Sequence, residues 1–74
     1  MANKSVCDPI TFDKVYFINA SVLRNYLYYK FGDLSMSEDI VQESFIKLWV
    51  NCSKVTLEKS KSYLFTVANN LFID

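Results

Sequence analysis

Apolar residues recur at three- and four-residue intervals along most of this chain, the spacing of helices that bury one face. The sharpest instance is Glu38 to Trp49. At about 100° per residue, Ile40, Val41, Ser44, Phe45, Leu48 and Trp49 share an arc that Cys52 extends. Asp39, Gln42, Glu43 and Lys47 lie opposite, with Ile46 and Val50 among them. A polar stripe that carries two aliphatics, at positions 39, 42, 43, 46 and 50, is an odd face to give to water. It has the make-up of a surface that receives another helix.

The same periodicity predicts a helix on either side of this one. Thr11 is placed to cap a first helix running from near Phe12 to Phe31. Phe12, Val15, Tyr16, Leu23, Tyr26 and Leu27 mark its apolar face, with Ala20 at a close approach. Ile18, Val22 and Tyr29 widen that face, which suits a helix packed by two neighbours, while Phe17 and Tyr28 fall on the polar side near Arg24 as surface aromatics. Gly32 ends the helix. Ser35 and Glu38 have capping-box spacing for the second helix, and Asp33 and Asp39 sit near its positive end. That helix is expected to reach Asn51 or Cys52, where Asn51-Cys52-Ser53-Lys54 breaks it, and a polar connection continues to Leu57 or Glu58. A third helix follows from about Lys59 to Asp74, with Ser60, Leu64, Val67, Ala68 and Leu71 on its inner face. The expected fold is therefore all-α: a compact bundle of three main helices, about 11–31, 35–52 and 59–74, behind a flexible lead-in over 1–10 with room for a short N-terminal helix.

Composition narrows the class. Seventy-four residues make one small domain, and an apolar fraction of 51% supports a core. One Gly and one Pro leave too little turn material for an all-β fold. Eight acids balance eight bases, so the chain lacks the basic excess needed to hold nucleic acid unaided. There is no His, and Cys7 and Cys52 stand far apart, so neither a metal site nor a cofactor is expected. No nucleophile has an activating base, which sets an enzyme aside. With no secretory signal ahead of them, the two cysteines are expected as free thiols in a reducing cytoplasm. No apolar run approaches a membrane span.

The outer face of the third helix is unusual too. Lys59, Ser62, Tyr63, Thr66, Asn70 and Ile73 cluster there. Thr and Asn cost helix propensity, so a solvated face would favour Glu, Lys and Gln. Hydroxyls and amides read base edges and an aromatic stacks on a base, which makes nucleic acid one explanation. Neutral surface drift is the other, and composition alone does not separate them.

Two blocks in order carry a resemblance. The first is Gly32-Asp33, then three residues, then Ser37-Glu38-Asp39-Ile40-Val41-Gln42-Glu43-Ser44-Phe45-Ile46-Lys47-Leu48-Trp49. The second is Ser62-Tyr63-Leu64-Phe65-Thr66-Val67-Ala68-Asn69-Asn70-Leu71-Phe72-Ile73-Asp74. Together, over roughly Phe12 to Asp74, they resemble region 2 of sigma-70 family RNA polymerase sigma factors of the extracytoplasmic-function (ECF) type. That family shows a GD…(A/S)EDLVQEVFLRLW block, a loop, and then WLYRIARNLAID.

The resemblance implies a bacterial, cytoplasmic transcription initiation domain that docks on the clamp helices of the polymerase β′ subunit. It also implies recognition and melting of the promoter −10 element through its non-template strand, and an anti-sigma factor as a further partner. By position, Asp39, Gln42, Glu43 and Ile46, with Trp49, match the polymerase-binding surface. Lys54, Val55 and Thr56 fall in the loop that captures a flipped base, and Lys61, Tyr63, Thr66 and Asn70 match the DNA-facing side of the last helix. Asn70 occupies the family's recurrent Asn. The chain departs from the pattern at Asn69, where the family has Arg, and at Tyr63, where it usually has Trp. The third helix meets no stop signal, the Arg-rich tail is missing and so is region 4, so the expectation is a sequence truncated within a longer protein. The competing reading is a helical protein–protein module with no DNA role.

Overall fold

The computed structural model describes residues 5–73. It contains three helices: α1 (Pro9–Phe31), α2 (Leu34–Val50) and α3 (Ser60–Ile73). Two single 3-10 turns, Cys52–Lys54 and Leu57–Lys59, form the α2–α3 connection. Among the described residues there is no strand, so the fold is the all-α three-helix bundle that the periodicity predicts. No separate short helix precedes α1 among these residues. The end of the third helix expected at Asp74 and the first four residues of the lead-in lie outside the described residues.

The helix starts differ from expectation, and the reason is local. Asp8, not Thr11, caps α1: its carboxylate accepts from the Thr11 backbone N–H at 3.1 Å and from Thr11 Oγ1 at 2.9 Å. Pro9 then takes the first helical position, where its missing N–H costs nothing and its φ is already helical. Thr11 lies a turn inside and is buried. At α2, Asp33 replaces the expected Ser35–Glu38 capping box, accepting from the Met36 N–H at 2.9 Å. Between the helices, Gly32 adopts φ 78°, and its N–H donates to the Tyr28 carbonyl at 2.7 Å. So short a connection turns the chain back on itself, and α1 and α2 pack antiparallel.

The antiparallel register is written in ring contacts. Tyr16 meets Phe45 with centroids 4.8 Å apart, and Phe12 meets Trp49 at 5.1 Å. Each step moves four residues back along α1 and four forward along α2. Five residues further back and three further forward, Cys7 lies beside Cys52, with Cα atoms 5.2 Å apart, and the two are joined in a disulfide. The expected free thiols are therefore overturned: helix pairing makes neighbours of cysteines that are distant in sequence. Residues 5–8, expected as lead-in, pack as a turn closed by the Asp8 N–H on the Ser5 carbonyl at 3.0 Å, with Val6 wholly buried.

α3 returns alongside both helices. Tyr26 meets Phe65 at 5.0 Å, and Phe31 stacks on Phe72 at 3.4 Å, so α3 runs in the direction of α1. The core comprises Val6, Val15, Leu23, Leu27, Ile40, Val41, Phe45, Leu48, Leu64 and Ala68. Ser37, Ser44 and Ser60 are buried among them, where small side chains admit close helix contacts. Each donates its hydroxyl to a carbonyl three or four residues back, at 2.6–2.8 Å, so none is left unsatisfied. The widening of the α1 face through Ile18, Val22 and Tyr29 is not packed: all three are exposed, Tyr29 at 94%. The second neighbour, α3, packs instead on the Tyr26 and Phe31 side.

The bridge closes a sequence separation of 45 residues. A loop of that size should contribute about 2–4 kcal/mol by constraining the unfolded chain. Thermal unfolding with and without dithiothreitol checks this, with an expected fall in Tm of roughly 4–8 °C for each kcal/mol lost. Equal melting of the two forms contradicts a stabilising bridge.

Candidate functional site

Two surfaces hold most of the sequence-predicted residues. The first is the outward stripe of α2. Asp39, Gln42, Glu43 and Ile46 are all exposed, Ile46 at 55%, and Val50 continues the stripe at 72%. Trp49, which periodicity put on the inner arc, sits at its border instead: it is 46% exposed while its ring packs on Phe12. This matters because Trp49 and Ile46 share a hollow with Pro9, Phe12, Asp13, Tyr16 and Phe45. The aliphatic and aromatic members thus make an apolar strip flanked by Asp13, Asp39 and Glu43, which suits a helix carrying apolar and basic side chains.

The second surface is a hollow of about 440 Å³ between the α2–α3 connection and the start of α3. Lys54, Val55, Thr56, Tyr63 and Thr66 all line it, so residues from two separate predicted groups meet in one place. Lys59 and Ser62 line it too, giving two ammonium groups and no carboxylate. Both had been read only as part of the outer face of α3. A chain with no net charge thus gathers two lysines and no carboxylate in the lining of this hollow.

Asn70 is exposed one helical turn beyond Thr66 on the same side of α3, outside the hollow's lining. Lys61 is not with the others. It is on the opposite side of α3, where its ammonium lies 6.0 Å from the Phe65 ring centroid.

Tyr63 is held in place by a residue that sequence reading passed over as a helix breaker. Asn51 Nδ2 donates to the Lys47 carbonyl at 3.0 Å and to the Tyr63 hydroxyl at 3.2 Å. The hydroxyl in turn donates to the Lys47 carbonyl at 3.5 Å. The ring's far end is thus tied to the last turn of α2, and its body faces the hollow. Spacing along α3 alone carries no sign of this link, because the partner comes from the end of another helix.

Asn69, the departure from the family's Arg, is engaged with α1. Its Oδ1 accepts from Tyr26 Oη and from Lys30 Nζ, both at 3.3 Å, and its Nδ2 donates to the Phe65 carbonyl at 3.0 Å. Hydrogen bonds with Asn69 and Lys30, and the lysine's charge, hold the Tyr26 phenol below the ordinary tyrosine range.

The domain thus carries a mixed apolar and acidic stripe on α2 and a cationic, hydroxyl-rich hollow beside α3. The comparisons with known proteins give its family. Residues 17–74 match the family model Sigma-70 region 2. The chain is 36% identical over 62 residues to the ECF RNA polymerase sigma factor SigL of Mycobacterium tuberculosis, covering 81% of this chain and 35% of that protein. To the ECF RNA polymerase sigma factor SigM of Bacillus subtilis it is 31% identical over 65 residues, covering 88% of this chain and 40% of that protein. No solved structure matches it. The chain belongs to the sigma-70 region 2 family, in its ECF branch, and spans little more than a third of the length of these relatives. Among the described residues, no helix is long and apolar enough to cross a membrane.

The Asn51–Tyr63 tie has a direct check. In a double-mutant cycle of Asn51→Ala and Tyr63→Phe, followed by urea unfolding, the two changes should couple by about 0.5–1.5 kcal/mol. Simple additivity contradicts the tie.

Proposed function

We propose that this domain is the polymerase-docking and promoter-engaging part of a transcription initiation factor, acting in the bacterial cytoplasm without catalysis of its own. The observation that carries the reading is the hollow in which Lys54, Val55, Thr56, Tyr63 and Thr66 converge. A base extruded from the duplex loses its stacking, at a cost of a few kcal/mol. An aromatic ring offers stacking worth about 1–3 kcal/mol in return. Tyr63 supplies the ring, Thr56 and Thr66 supply hydroxyls that read a base edge, and Lys54 and Lys59 meet the flanking phosphates. Asn70 extends contact along the same face of α3 to the next part of the −10 element. The α2 stripe of Asp39, Gln42, Glu43, Ile46 and Trp49 docks on the clamp helices of the β′ subunit. Affinity for promoter DNA then comes mainly from the assembled polymerase, which is how a domain of no net charge can work on DNA.

A second reading rests on the exposed apolar residues of α1, Phe17, Ile18, Val22 and Tyr29. These suit a protein partner, either an anti-sigma factor or the partner of a helical module with no DNA role.

Two measurements divide these readings. A β′ clamp-helix fragment should retain the wild-type protein in a pull-down and lose the Gln42→Ala, Glu43→Ala double variant. Absence of binding by the wild type at micromolar concentration removes the docking role. For DNA, a randomised pool of single strands should yield an enriched sequence in the presence of bacterial core polymerase. Asn70→Ala should weaken binding of that strand by about tenfold, as loss of a base-edge contact implies. Indifference to DNA with and without polymerase favours the protein–protein module.

A further inference from the structure

We propose that the Cys7–Cys52 bridge is a redox switch on the DNA-binding hollow, an inference that rests on the reading of that hollow given above. Cys52 opens the α2–α3 connection, two residues before Lys54. Lys54, Val55 and Thr56 form a partition: on one side they line the cationic hollow with Tyr63 and Thr66, and on the other a second hollow of about 640 Å³ that also includes Ser5 and Cys52. Val55 is half-buried against the core, while Lys54 and Thr56 are exposed. Neither 3-10 turn contains a buried residue. Its backbone hydrogen bonds include Lys54 N–H to the Asn51 carbonyl at 2.9 Å, Val55 N–H to the Cys52 carbonyl at 3.4 Å, and Lys59 N–H to the Thr56 carbonyl at 3.0 Å. Each of these is internal to the connection or to its junction with α2.

The disulfide is the covalent link from this connection to the turn at residues 5–8, which Val6 anchors in the core. Both cysteines are half-buried, so a thiol in solution reaches them. Where surrounding thiols are reducing, such a bridge forms only on oxidation.

The chemistry is thiol–disulfide exchange with a dithiol reductant. One thiolate of the dithiol bonds to a sulfur of the bridge and displaces the other as a thiolate. The dithiol's second thiolate then attacks the mixed disulfide, closes its own S–S bond and releases the remaining cysteine. Two electrons and two protons pass to Cys7 and Cys52, which become thiols, and the dithiol becomes a disulfide. Reoxidation reverses the exchange with an oxidised dithiol.

Oxidised, the bridge holds the partition in the position that completes the cationic hollow. Reduced, the connection keeps its short turns, the half-buried Val55 and the Ser60 hydroxyl on the Leu57 carbonyl but loses its covalent link, and binding a strand must first order it. The α2 stripe is held by helical hydrogen bonds that do not involve the bridge. Reduction therefore weakens DNA binding and leaves docking on the β′ clamp helices in place.

The test uses the full chain with bacterial core polymerase. The probe is the single strand enriched from the randomised pool, fluorescently labelled and followed by anisotropy. Dithiothreitol should weaken binding by wild type on the order of tenfold, the equivalent of re-ordering about one loop residue's backbone on binding. The Cys7→Ser, Cys52→Ser variant should bind at the reduced level and ignore dithiothreitol. Clamp-helix binding should be equal in all forms. Equal DNA affinity of oxidised and reduced wild type overturns the switch and leaves the DNA reading standing. Parallel loss of clamp-helix binding overturns it too, because the effect is then general unfolding. If the pool yields no enriched strand in either redox state, the DNA reading fails and the switch falls with it.

Discussion

Much of this structure depends on how α2 stops. The Lys47 carbonyl is met by three donors: the Asn51 N–H at 3.0 Å, the Asn51 side-chain amide at 3.0 Å and the Tyr63 hydroxyl at 3.5 Å. A helix ends with carbonyls that no later residue of the helix satisfies. Here one of them becomes the junction for the next helix. Asn51 finishes α2 by bonding back to it, and Tyr63 bonds to both Asn51 and the same carbonyl. The start of α3 is thereby tied to the end of α2, leaving the residues between to bulge as two short 3-10 turns. The hollow exists because those turns and α3 cannot separate far at this point.

The aromatic ladder between α1 and α2 sets the other constraint. Tyr16 on Phe45 and Phe12 on Trp49 fix the relative register of two long helices. Side-chain packing of this kind is sensitive to slippage, since moving one helix by a turn would unstack every pair. The same register delivers Cys7 to Cys52 and leaves Trp49 at the border of the outward stripe. One packing choice thus produces both the bridge beside the hollow and the apolar side of the stripe.

The buried faces were legible in the sequence because burial follows the helical period. Ile40, Val41, Ser44, Phe45 and Leu48 are buried together, as are Leu23 with Leu27 and Ser60 with Leu64 and Ala68. Periodicity also found the outward stripe, since two aliphatics among acids break the expected pattern. It was less informative at helix ends, where several Ser, Thr and Asp residues compete within a few positions. At α1 the decisive signal was Asp8 followed by Pro9, which fell inside the stretch read as a flexible lead-in. At α2 it was Asp33 directly after Gly32. The bridge and the Asn51–Tyr63 tie were out of reach for another reason: both join residues brought near only by helix packing, and neither spacing has a local signature. Ile18, Val22 and Tyr29 were misjudged because apolar character alone does not say that a partner within the chain is present.

Charge is sorted by surface despite the zero net balance. Asp13, Asp39 and Glu43 flank the outward stripe of α2, while Lys54 and Lys59 line the hollow beside α3. Net charge is a sum over the surface, and recognition samples only the part within about a Debye length, near 10 Å. Asn69, where the family has Arg, follows the same logic. Asn69 lacks a charge of its own, yet Lys30 of α1 places an ammonium 3.3 Å from its side-chain oxygen, so positive charge stands beside that position from a different helix. Counting basic residues within α3 understates the charge around it, because folding rather than sequence proximity decides which cations a strand would meet.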